Sequence, residues 1–211
     1  MPEPKEHYFK TETEIPMEIH TIEAIIRGDE LEFQTSPPVF SWRKVDKGTL
    51  TLAENMEIPD AAKDLLDLGC GYGVIGIVAA RNNPELKVTM IDKSKRAVQL
   101  TRKNLRLHNL KNAEVMHGDL YSPLKWIDEA GKEHIKKFDV IVSNPPYSAG
   151  KSVVVEIIKK APEHLKEGGS LQIVGRHNKG GKMYKEEMLQ VFSTLEETGR
   201  SAGYRVYIGK K

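Results

Sequence analysis

Two stretches of this chain carry residue types that could do chemistry. The first is Asp67-Leu68-Gly69-Cys70-Gly71-Tyr72-Gly73. It follows the apolar pair Leu65-Leu66 and precedes Val74-Ile75-Gly76-Ile77-Val78-Ala79-Ala80-Arg81. That pattern predicts a buried strand, a glycine-rich turn and a helix packed back on the strand. Glycines let the main chain take positive φ and approach a ligand closely. The helix start offers unpaired N–H groups to whatever lies against the turn, so the unit can cradle a nucleotide. Two ligand classes fit. Gly71-x-Gly73-x-x-Gly76 matches a dinucleotide fingerprint, which alone is weak. Asp67-x-Gly69-x-Gly71-x-Gly73 instead puts a carboxylate at the strand end. That charge repels a diphosphate and suits a ligand with a cationic amino acid.

The second stretch is Asn144-Pro145-Pro146-Tyr147, which follows the apolar run Phe138-Asp139-Val140-Ile141-Val142-Ser143. By itself it is also compatible with an ordinary Pro-Pro turn after a strand. Together the two stretches resemble motif I and motif IV of class I S-adenosylmethionine-dependent methyltransferases that modify planar exocyclic nitrogens. Further residues extend the resemblance from about residue 7 to the C-terminus: His7-Tyr8-Phe9, Phe40-Ser41, Asp46-x-Gly48-Thr49 and Gly150-Lys151. With them the chain looks like the catalytic domain of small-subunit ribosomal-RNA guanine-N2 methyltransferases and their single-domain archaeal relatives. Tyr147 stands where many of those relatives have Phe.

The resemblance implies a Rossmann-like α/β fold: a mostly parallel seven-stranded sheet, an antiparallel last strand and an N-terminal β-hairpin. It implies S-adenosylmethionine as cofactor and RNA as substrate, free or in a ribosomal subunit, with guanine N2 and cytosine N4 both open. Asn144 and the Pro145 carbonyl would accept the two hydrogens of the target amine. Two prolines would hold those acceptors rigidly, and Tyr147 would stack on the base. In the cofactor site Asp67 and the backbone of Gly69, Cys70, Gly71 and Gly73 would hold the methionine part, with Gly48 and Thr49 lining that end. Asp92 would hold the ribose and Asp119 the adenine, with Lys93 and Leu120 flanking the adenosine. Lys151, His177, Lys179 and Lys182 are the expected phosphate contacts.

The remaining elements must position these residues. Ile19 to Ile26 and Leu31 to Thr35 are β-prone and flank a turn at Arg27-Gly28-Asp29-Glu30, which predicts a hairpin. A short helix is expected over 49–56, strands over 86–92 and 113–120, and a helix over 94–109. Residues 125–137 read as a polar excursion. A helix over 151–165 shows the 3.6-residue period. A strand over 170–175, a helix over 183–192 and a hairpin of 193–199 with 204–209 complete the chain. Alternating strands and helices indicate a parallel sheet. We expect one methyltransferase domain over 1–211: arm, hairpin and short helix in 1–56, catalytic core in 57–211.

Composition bounds the rest. The 211 residues are 39% apolar and 29% charged, with net charge +2. Residues 1–36 hold three basic and nine acidic residues, so the catalytic body is net basic, as suits a nucleic-acid substrate. No apolar run approaches the ~20 residues of a membrane span. The absence of a leader pattern and the single cysteine suggest a cytoplasmic protein. Cys70 lies in the cradle, which argues against a covalent cysteine mechanism. The seven His show no ligand spacing, so no metal is expected. We expect a monomer or small homo-oligomer. The competing activities are protein glutamine-N5 methylation, DNA adenine-N6 methylation, a nicotinamide-dependent oxidoreductase and a non-catalytic RNA-binding module.

Overall fold

A computed structural model describes residues 17–37, 39–146 and 150–211. The expected aromatic patch His7-Tyr8-Phe9 and the candidate Tyr147 lie outside the described residues.

The chain opens with the expected hairpin, β1 (His20–Ile26) and β2 (Asp29–Thr35). Its turn is only two residues long. Arg27 and Gly28 both take positive φ, 53° and 84°, the combination that matches the twist of paired strands. Leu31, Phe33 and Ile26 are buried, each worth roughly 1.5–3 kcal/mol. They tie the hairpin to the body. The Asn104 side chain adds two polar ties, accepting from Gln34 N at 2.7 Å and donating to Gln34 O at 2.9 Å.

Helix α1 (Lys47–Asn55) follows. It begins two residues before the expected start because the Asp46 carboxylate caps it, accepting from Gly48 N at 2.8 Å and Thr49 N at 3.2 Å. Next come β3 (Asp64–Leu68), α2 (Val74–Asn82), β4 (Lys87–Asp92), α3 (Lys95–Leu107) and β5 (Ala113–His117). The expected polar excursion contains a small antiparallel pair, β6 (Lys125–Ile127) and β7 (Glu133–Ile135). Asp128 organises its turn, accepting from Ala130 N, Lys132 N and the His134 ring.

The chain continues through β8 (Phe138–Ser143), α4 (Lys151–His164), β9 (Leu165–Arg176), α5 (Gly181–Leu189), β10 (Thr194–Ser201) and β11 (Tyr204–Lys210). Strand β9 is longer than its apolar run, because it starts directly at the end of α4 and passes through an irregular register between Phe138 and Val140. Seven strands form the main sheet in the order β10-β11-β9-β8-β3-β4-β5. β3, β4, β5, β8 and β9 run parallel, and β11 pairs antiparallel with both β9 and β10.

Both faces of the sheet's centre are covered, which is why β3, β4 and β8 are largely buried. Leu65, Val140, Val142 and Ile208 pack with α1, α2, α3 and the hairpin. Leu66, Ile141, Leu171 and Tyr207 pack with α4 and α5 on the other face. Asp67 pairs with Met90 on one side and Val142 on the other, at the centre of the sheet. Gly69, Lys93 and Asn144 each follow the C-terminal end of a parallel strand. This is the edge where open α/β sheets bind ligands. No helix among the described residues is long and apolar enough to cross a membrane.

Candidate active site

The glycine-rich turn hangs from the end of β4. Gly69 N and Cys70 N donate to Ile91 O at 2.8 and 3.0 Å, and Gly71 N donates to the Asp92 carboxylate at 2.8 Å. From α3, the Thr101 hydroxyl donates to Gly71 O at 2.8 Å. Gly69, Gly71 and Gly73 hold φ of 76°, 59° and 97°. An added Cβ at Gly69 or Gly71 would meet open space. The backbone torsion, rather than crowding, therefore selects glycine at those two positions. Gly76 is different: a Cβ there would collide with the Met90 sulfur and come within 2.7 Å of its Cγ. Its lack of a side chain lets α2 lie directly on β4 and brings the turn to the strand ends.

Asp67 sits beneath this turn, 1% exposed. One carboxylate oxygen accepts from Gly76 N at 2.9 Å, and the other is buried without a partner among the described residues. Burial, opposed by the Gly76 bond and reinforced by the Asp92 charge, raises its pKa to about 7. Burial, with the charges of Asp67 and Asp92, also holds the Cys70 thiol well above its ordinary range. The sulfur stays protonated and is a poor nucleophile. Burial and the Asp46 charge raise the Tyr72 phenol in the same way.

Asp92 receives Ser94 N at 2.8 Å on its other oxygen. Ser94, rather than Asp92, caps α3 through Ala97 N. Across the crevice, Ser143 donates to Leu68 O at 2.7 Å and locks the end of β8 to the end of β3. That places Asn144 opposite the turn. Its amide nitrogen donates to Thr49 Oγ1 at 2.9 Å and to both Asp46 oxygens at 3.3 Å.

These elements enclose a cavity of about 300 Å³, at the lower end of the range for small-molecule sites. Of the predicted residues, Thr49, Gly69, Cys70, Gly71, Asp92, Lys93, Asp119, Leu120, Asn144, Pro145 and Pro146 line it. Gly48, Asp67 and Gly73 do not: Asp67 lies under the turn, Gly73 caps α2 and Gly48 belongs to the first turn of α1. Lys151, His177 and Lys182 also lie off the wall. Lys151 opens α4, and His177 and Lys182 flank the start of α5, with Lys179 in the short 3-10 turn between them.

Sequence reasoning missed several wall residues. Asp46 was legible only as part of a motif, and its role as a cap and partner of Asn144 depends on the fold. Phe40, 56% exposed at the wall, likewise entered only within a motif, and Glu156 on α4 had no local signal of its own. Among the described residues no group of three or more His, Cys, Asp or Glu could hold a metal ion.

A strand-end carboxylate, a bare glycine turn, an acid ending the next strand and an Asn-Pro-Pro wall make a two-part site. One part suits an adenosine ligand and the other a planar amine. The model of the methyltransferase small domain matches residues 30–208. The chain belongs to that family. This methyltransferase is 32% identical to protein YbxB of Bacillus subtilis over 98% of both chains. It is 36% identical to ribosomal RNA small subunit methyltransferase C of Aeromonas hydrophila, covering 87% of this chain and 50% of that one. Among solved structures it resembles the T. thermophilus 16S rRNA N2 methyltransferase RsmC, determined with AdoMet and guanosine. The TM-score is 0.73 at 27% identity, over 93% of this chain and 51% of that one. The chain thus spans about half the length of the methyltransferase C relatives it matches.

Proposed function

We propose that this methyltransferase transfers a methyl group from S-adenosylmethionine to an exocyclic amine of a base in ribosomal RNA, with guanine N2 the favoured target. The cavity fits such a donor: two turn glycines leave their backbone bare, and a buried carboxylate oxygen without a partner among the described residues lies beneath them. The Gly69 to Gly71 backbone would hold the methionine part, with the Asp67 charge under it. Asp92 would hold the ribose and Asp119 the adenine, between Lys93 and Leu120. Bound there, the donor supplies an electrophilic methyl on a sulfonium.

The acceptor side follows from Asn144. An exocyclic amine is a poor nucleophile because its lone pair is delocalised into the ring. Accepting both amine hydrogens, at Asn144 Oδ1 and the Pro145 carbonyl, draws the nitrogen toward tetrahedral geometry and frees the lone pair. Pro145 and Pro146 keep the acceptors from moving. Tyr147 would stack on the base, worth about 1–3 kcal/mol, after the base leaves its helix or from a single strand. Lys151, His177, Lys179 and Lys182 would meet phosphates. The amine proton then leaves to water.

The observation that carries this reading is the Asn144 amide, held at the cavity wall by its nitrogen. The N2 specificity and bound guanosine of the T. thermophilus relative support guanine. The test is transfer of a labelled methyl to purified rRNA, followed by nucleoside analysis. Wild type should label one N-methylated guanosine, and Asn144→Ala should lose at least roughly 100-fold in turnover, the scale of removing one positioned polar group that stabilises a transition state. Unchanged turnover in that variant would overturn the mechanism.

A further inference from the structure

The Asn144 amide nitrogen has two hydrogens, and both are used. One goes to Thr49 Oγ1 at 2.9 Å, and the other is shared by the two Asp46 oxygens at 3.3 Å. The direction of every bond in this cluster is forced. An ionised carboxylate only accepts. The Thr49 hydroxyl has one hydrogen and gives it to Asp46, so its oxygen must accept from Asn144. The Asp46 carboxylate is itself fixed by Gly48 N and Thr49 N at the start of α1. Turned over, the amide would face that carboxylate with its own oxygen, two acceptors in contact. It would also present N–H groups where the amine's hydrogens must go. In the observed orientation no donor among the described residues reaches Asn144 Oδ1. A Cβ at Gly48 would press on that oxygen at 3.1 Å, so glycine there keeps it clear.

We propose that Asp46 and Thr49 are positioning residues that lock the Asn144 carboxamide with its oxygen free to accept the target amine. The Asp46 charge also strengthens that oxygen. An anion at the N–H end of an amide draws the amide toward its polar resonance form, with more negative charge on oxygen, and chained hydrogen bonds reinforce one another. The gain is largest when positive charge develops on the attacked amine, so it lowers the barrier more than it aids binding. This rests on the reading of Asn144 as the amine acceptor. It also moves Thr49 from the cofactor end, where the sequence suggested it, to the acceptor end.

Three variants and two readouts test it. Thr49→Val removes the hydroxyl but keeps the shape, Thr49→Ser restores the hydroxyl, and Asp46→Asn keeps a capping oxygen while removing the charge. We expect Thr49→Val and Asp46→Asn to lose tenfold or more in kcat and Thr49→Ser to recover most of it. The Kd for S-adenosylmethionine, by calorimetry, should stay within twofold. Wild-type kcat in both Thr49→Val and Asp46→Asn would overturn the proposal. So would a tenfold weaker cofactor Kd in Thr49→Val with kcat intact, since Thr49 would then be a cofactor contact. The second readout is hydrogen exchange of the Asn144 side-chain amide by NMR, which needs no substrate. Exchange should be slow in wild type and faster in Thr49→Val. Fast exchange in wild type overturns the orientation even if RNA is methylated. Slow exchange with no methylation of RNA instead counts against the substrate reading alone.

Discussion

Replacing Asp67 by asparagine should stabilise the ligand-free protein, and by an amount that grows with pH. The carboxyl is 1% exposed, one of its oxygens has no partner among the described residues, and its pKa rises from 3.8 to about 7. The folded state therefore binds a proton that the unfolded chain has released between these two values. Stability from this group is fully present below pH 3.8 and is lost as pH rises through about 7. At 1.36 kcal/mol per unit, the full cost of holding the charged form is about 4 kcal/mol. About 2.5 kcal/mol of that falls between pH 5 and pH 8. The asparagine amide would keep an oxygen for Gly76 N and would not titrate. Urea unfolding of both proteins at pH 5, 6, 7 and 8 measures the gap directly. We expect the variant's advantage to widen by roughly 2.5 kcal/mol across that range, while its affinity for S-adenosylmethionine falls. A constant gap would refute the argument, because it would mean the folded carboxyl titrates as it does in the unfolded chain.

Gly76→Ala drives a methyl into the Met90 sulfur, and Met90 is fully buried and cannot swing into solvent. Urea unfolding should show a loss of about 1–3 kcal/mol, and S-adenosylmethionine should bind less tightly as α2 moves off the sheet. His164 is buried and stacks on Tyr121 at 4.5 Å, with Nδ1 on Lys136 O and Nε2 without a partner among the described residues. Burial lowers its pKa below 6.5, so its stability contribution is full above that value and is lost as pH falls. Thermal melts should therefore show wild type losing more between pH 7 and pH 5 than His164→Phe does. Calorimetry should give binding heat with S-adenosylmethionine and none with NAD, and heat with NAD would revive the dinucleotide reading of Gly71-x-Gly73-x-x-Gly76.

The centre of the fold was legible because its signals are local. Leu65-Leu66, the spaced glycines and the apolar α2 specify strand, turn and helix within a few residues, and the Phe138 to Ser143 run does the same for β8. The antiparallel insertion of β11 between β9 and β10 was not readable from period or composition and came only from the resemblance. The start of α1 was missed because Asp46 caps from outside the apolar pattern. The β6–β7 pair was missed because its strands are three residues long and Asp128 holds their turn. In the site, residues that end parallel strands were found from position in the chain. Those that reach the cavity from elsewhere, Phe40, Asp46 and Glu156, were not, because only long-range packing brings them there. Asp67, read from the motif as a holder of the methionine part, lies buried under the turn rather than on the cavity wall, a depth that only the packing of α2 on the sheet sets.

Nucleoside mass spectrometry of rRNA from cells with and without this gene would read the modified base itself. The proposed function predicts loss of one N-methylated guanosine on deletion, restored by the wild-type gene and not by Asn144→Ala. An rRNA nucleoside profile unchanged by deletion would contradict it and would turn the search for the planar amine toward protein glutamine.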